Sequence, residues 1–174
     1  METLKIIAGS TTAALMYGVV HDQITIRICP EYFTAFHPSI FPTQSLTLIG
    51  IGWGIIASAP LGAALGILFA VCARAGDHPK LSLSELSSFI YRLLTIMTLS
   101  AVTFGTLGYL FGHMPVGESF LARMSPLIRE KIPVNAEHRF VADWWAHIAS
   151  YASALLGSLI CLVFIYLKRM RSQT

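Results

Sequence analysis

The sequence predicts an all-α four-helix transmembrane bundle with both termini on the inner side. An interfacial amphipathic helix is expected in the last outer loop. Three observations lead there. Of 174 residues, 55% are hydrophobic and only 12% are charged, about half the charged share of a soluble domain. Mean hydropathy is +0.66. Four apolar runs, at about 4–22, 46–73, 86–112 and 140–167, can each cross a hydrocarbon core of about 30 Å. They occupy the chain as a single integral membrane domain over 1–174.

The first run, Leu4 to Val20, has Lys5 as a positive start and is diluted by Ser10, Thr11 and Thr12. No small-x-small cleavage site follows it, so it reads as a retained helix rather than a signal peptide. The second, Leu46 to Ala73, exceeds the core thickness and carries Pro60 in its middle, which predicts tilt or a kink. Ser82 and Glu85 stand ahead of the third run as a capping box, so that helix should begin before the membrane does. The fourth ends in Lys168, Arg169, Met170 and Arg171, a cationic anchor.

Orientation follows from lysine and arginine. With the N-terminus inside, Lys5, Arg74, Lys80, Arg92, Lys168, Arg169 and Arg171 reach the inner edge. Arg27, Arg123, Arg129, Lys131 and Arg139 reach the other. The expected setting is a cell inner membrane, crossed several times, with the lipid bilayer as the first partner. The first outer loop, 21–45, is too rich in Tyr32, Phe33, Phe36 and Phe41 for a solvated linker and should fold over the mouth of the bundle. Residues 117–132 place Phe120, Leu121, Met124, Leu127 and Ile128 on one helical face, interrupted near Pro126.

Several functions are excluded. The net charge of +3 sits at membrane edges rather than in a basic run with interleaved aromatics, so nucleic acid is not a partner. Cys29, Cys72 and Cys161 form no CxxC pair, which argues against thiol–disulfide exchange. No nucleophile–base pair supports serine or cysteine hydrolysis.

Gly50, Gly54, Ser58, Gly62 and Gly66 recur every four residues and leave a flat ridge for close helix approach. Ala101 with Gly105, Gly108 with Gly112, and Ser150, Ala154 and Ser158 are partial ridges. The partner helix belongs either to the same chain or, through Gly50, Gly54, Gly62 and Gly66, to a homo-oligomer or larger membrane complex.

The chemistry-bearing residues gather on the outer side. His21, His37, His113, His138 and His147 fall there with Asp22, Glu31, Glu137 and Asp143. At 1.5 Å per residue, about 31 Å of helix separates Arg92 from His113 and Lys168 from His147, so these histidines reach similar heights. His21 closes the first span near the same level. Asp143 and His147 are four apart and share a helix face. Ionisable groups at a membrane edge face the bundle interior. The candidate metal ligands are His21, His113 and His147, with Asp22, Asp143, Glu31 and His37 as further ligands or orienting groups. The mix suits Fe, Cu, Zn or Mn without choosing among them. Two axial histidines would instead suit haem b. The bland alternatives are an interfacial histidine belt and a non-catalytic accessory subunit, since neither HExxH nor paired ExxH occurs.

The stretches HDQIT (21–25), EYFTAFHP (31–38) and TLIGIGWGIIA (47–57), with a weaker echo at ADWWAHIASY (142–151), resemble a family of small bacterial four-span membrane proteins. The resemblance implies a bacterial membrane setting. It carries no activity and no functional residues.

Overall fold

A computed structural model describes residues 1–117 and 130–171. Among them stand four long helices: α1 (Glu2–Ile28), α2 (Leu46–Arg74), α3 (Leu83–Gly112) and α4 (Glu137–Arg171). Each is long and apolar enough to cross a membrane. A π-turn at Tyr32–Phe36 and a 3-10 turn at Val134–Ala136 complete the described elements. No strand occurs among the described residues. The amphipathic helix expected over 117–132 falls mostly on residues 118–129, outside the described set.

The chain packs as two antiparallel hairpins, α1 with α2 and α3 with α4. In both, small residues let backbones meet. A Cβ on Gly54 would stand 2.7 Å from Val19 Cα, and one on Gly62 would stand 2.6 Å from Ala14 Cβ. Gly66 lies against Ile7 and Gly50 against Gln23 and Asp22. The ridge on α2 therefore receives α1 of the same chain. Gly105, Gly108 and Gly112 receive Ala146, Val141 and His138 of α4 in the same manner. In lipid no hydrophobic drive separates helix from solvent, so this close dispersion contact is what holds the hairpins together.

Two cores follow. At the pole bearing the termini, Ile6, Phe69, Leu86, Ile90 and Ile165 pack together. At the opposite pole, Ile26, Cys29, Tyr32, Phe33, Ile132, Phe140 and Val141 do so. We call the second the histidine pole.

Helix boundaries depart from the predicted spans where capping chemistry decides them. α1 continues through HDQIT to Ile28, six residues past the expected end at 22. Nothing in that stretch breaks a helix. Cys29 precedes Pro30, and the proline ring pushes the residue before it out of helical space; Cys29 has φ −137° and ψ 86°. α2 runs through Pro60 as one helix. The Ser82–Glu85 capping box forms as expected, with the Ser82 N–H donating to Glu85 Oε2 at 2.9 Å.

Arg169 has a further role within the last basic cluster. It is only 4% exposed. Its guanidinium donates to the carbonyls of Cys72, Ala75, His78 and Pro79 at 2.7–2.9 Å. It thus caps the carbonyl end of α2 and ties down the turn after it, where a fixed cation meets the negative pole of the helix. Gly76, at φ 72°, makes that turn possible.

Candidate metal centre

α1 and α4 each deliver an imidazole and a carboxylate to the histidine pole. Because α1 continues past residue 22, His21 and Asp22 are interior helical residues, about 10 Å of helix below Ile28. Asp22 is buried, and Asp143 and His147 are buried on the facing side of α4.

His147 is the centre of the arrangement. Its Nδ1 lies 2.9 Å from the Asp143 carbonyl oxygen and 2.8 Å from Asp143 Oδ1. A carbonyl oxygen only accepts, so the carbonyl contact is a hydrogen bond when Nδ1 bears the proton. The Nε2 edge then faces Asp22 Oδ1 at 3.4 Å. One ligand atom each from His21, Asp22 and His147 lies within 4.8 Å of the others. Two ligands on a tetrahedral ion with bonds of about 2.0–2.1 Å stand about 3.4 Å apart, so the His147–Asp22 spacing already fits one ion. At 3.4 Å the same pair is too long for a strong charge-assisted hydrogen bond.

Buried polar atoms mark the same place. His21 Nε2 is buried without a hydrogen-bond partner among the described residues, and the buried Asp143 carboxylate has the His147 imidazole beside it at 2.8 Å. A buried carboxylate is costly unless a cation or donors compensate it. Aromatic rings wall the group. Tyr32 stacks on His147 with centroids 4.7 Å apart, His21 meets it edge-on at 4.6 Å, and Tyr17 stacks on His21 at 5.7 Å. The Tyr17 hydroxyl is 2.7 Å from Ser150 Oγ. A cavity of about 60 Å³ lies beneath, lined by Ser10, Tyr17, Asp22, Ser58, Ser150 and Tyr151 among others. It has room for a few waters.

The other expected ligands lie elsewhere. His113 is the exposed C-cap of α3, with its ring against Tyr109 and His138; the two imidazole centroids are 4.3 Å apart. α3 packs on the flank of α4 that bears His138, not on the flank that bears His147. Glu31 faces Arg139 at 3.5 Å, and His37 Nδ1 is 2.7 Å from the Tyr32 carbonyl. The close edge-on packing of His21 and His147 leaves no slot for a macrocycle between them, so the structure does not fit a haem held by that pair.

Of the segment expected as an outer loop over 21–45, residues 21–28 belong to α1, and the Tyr32–Phe36 turn is the part that lies over the mouth of the bundle. Tyr32 and Phe33 are buried, and Tyr32 and Phe36 each pack on Phe140. Burial raises the Tyr32 phenol and pushes the Cys29 thiol up to about 12, so Cys29 is no nucleophile near neutral pH. Tyr17, Tyr32, Ser150 and Tyr151 were not read from the sequence as part of the site. Two of them carried a signal: Tyr17 and Tyr151 each stand four residues from a site histidine, on the same helix face.

Compared with protein-family models, with curated proteins and with solved structures, the chain finds no match.

Proposed function

We propose that this multi-pass membrane protein binds one divalent transition-metal ion at the histidine pole. His21, Asp22 and His147 are the ligands, and Asp143 orients His147. The observation that carries the reading is the convergence of these three ligand atoms within 4.8 Å, with the far nitrogen of His147 already held on the Asp143 turn. A carboxylate or carbonyl behind a ligating imidazole is the usual orienting arrangement.

Two imidazoles and one carboxylate leave coordination positions open. That donor set suits iron, copper, zinc or manganese in an open rather than a closed structural site, and it supports redox or hydrolytic chemistry on a substrate that reaches the open positions. In the proposed orientation the site faces the outer side of a bacterial inner membrane.

Metal analysis tests this. Wild-type protein purified without chelators should carry one ion per chain. His21→Ala, Asp22→Asn and His147→Ala should each lose most of it, while His113→Ala and His37→Ala keep it. Size-exclusion elution and helical content should be unchanged in the Asp22→Asn protein, which separates ligand loss from misfolding. A wild-type preparation without a stoichiometric non-haem metal would sink the proposal. The buried Asp–His–Asp contact would then be packing within an accessory subunit of a larger complex.

A further inference from the structure

α1 and α3 are in contact near the terminal pole. There a Cβ on Gly9 would stand 2.9 Å from Leu83 Cδ2, and Glu2 Oε2 accepts the Leu83 N–H at 3.4 Å. Towards the histidine pole a groove of about 1060 Å³ separates them, floored by Ala142 and Ala146 of α4. It follows α1 from Gly9 to Ile28, about 28 Å at the helical rise. That length lies within the apolar spans, so the groove opens sideways into lipid.

Three features say what occupies it. Its described lining contains no lysine, arginine, aspartate or glutamate, so it offers nothing to a charged head. Most of its wall is apolar: Met16, Val20, Ile24 and Val102 are each more than half exposed along it. The hydroxyls of Thr25, Thr98 and Thr106 already donate to carbonyls one turn back. His21, by contrast, lines the groove, lines the internal cavity, and belongs to the His21–Asp22–His147 group. The groove is pinched shut at one end, which suits a chain molecule rather than a straight helix spanning the whole membrane.

We propose that the groove binds an uncharged long-chain amphiphile whose carbonyl or hydroxyl head sits at His21. On the metal reading, the groove is also the lateral route by which a membrane-dissolved substrate reaches the ion. The identity of that substrate rests on the metal reading, whereas the groove and its occupant do not.

The test uses full-length protein in lipid nanodiscs and a diazirine-bearing long-chain alcohol as photoprobe. Label should concentrate on groove residues of α1 and α3. Val102→Trp or Met16→Trp, both on lipid-facing positions that tolerate bulk, should cut labelling about tenfold, the change that about 1.4 kcal/mol of lost binding produces. Leu159→Trp on the outward face of α4 should change nothing. Metal content should stay unchanged in the Val102 and Met16 variants. Groove labelling in a metal-free wild type would leave this proposal standing and remove the metal reading alone. Even labelling of the outward α4 face, equal groove labelling by the phosphocholine-headed analogue, or no effect of Val102→Trp would each overturn it. So would cross-linking of groove positions to a second polypeptide in native membranes.

Discussion

Cys29 has no exposed surface, and burial holds its thiol near 12, above the ordinary value of about 8.5. Tyr32 beside it is raised for the same reason. Both groups keep their protons more tightly folded than unfolded. The stability they contribute is therefore complete below the unfolded thiol value and is lost as pH rises from about 9 towards 12. Thermal unfolding in detergent should show a decline over that window that is shallower in Cys29→Ala. Alkylation of Cys29 in a folded Cys72→Ala, Cys161→Ala protein at pH 8 at the rate of a free thiol would refute the burial argument. Single positions also show where sequence reasoning stopped. Equal heights for His113 and His147 followed from helix rise, but rise fixes depth and not direction around the helix. Which flank of α4 receives α3 depends on Gly105, Gly108 and Gly112 meeting Ala146, Val141 and His138, a long-range fact. Asp143 and His147 were legible because a four-residue spacing fixes both depth and direction at once.

Helices were legible as apolar runs, and their ends were legible wherever local chemistry sets them, as at Ser82 with Glu85. The end of α1 was misplaced because polar HDQ suggests a loop, although only the Cys29–Pro30 junction stops the helix. That shift moves His21 and Asp22 into the bundle and creates the site. Arg169 shows the converse: a charge placed at the membrane edge by composition is turned inward by four unsatisfied carbonyls. The small-residue ridge of α2 was visible, and the structure settles which helix uses it. Gly54 touches the backbone of Gly18 and Val19, so added bulk there meets main chain that cannot yield. Gly54→Leu should cost at least the roughly 1–3 kcal/mol typical of overpacking and lower folded yield. Gly62→Leu meets the Ala14 side chain first and then Thr11 backbone, and should behave alike. Wild-type yield and melting temperature in both variants would show the α1–α2 contact to be dispensable.

The whole molecule combines two tight hairpins with a looser seam between them, and its polar groups are divided unequally between the poles. Asp22, Asp143 and His147 are buried at one pole under the Tyr32–Phe36 turn, while the other is tied by Arg169 to the turn after α2. The basic residues at that second pole, Lys5, Arg74, Lys80, Lys168, Arg169 and Arg171, predict that it faces the cytoplasm. That orientation puts the His21–Asp22–His147 group and the histidine-pole end of the groove in the outer leaflet. The native cysteines make this simple to check, because Cys29 and Cys161 are buried and Cys72 is half-buried. Ser39, in the loop over the histidine pole, and Asp77, in the turn after α2, are both exposed. Ser39→Cys should react with a membrane-impermeant maleimide in intact spheroplasts. Asp77→Cys should react only after permeabilisation, and the wild-type background should stay low in both conditions. Labelling of Asp77→Cys with protection of Ser39→Cys would invert the protein and place the site on the cytoplasmic side, where a substrate arriving from the outer leaflet could not reach it.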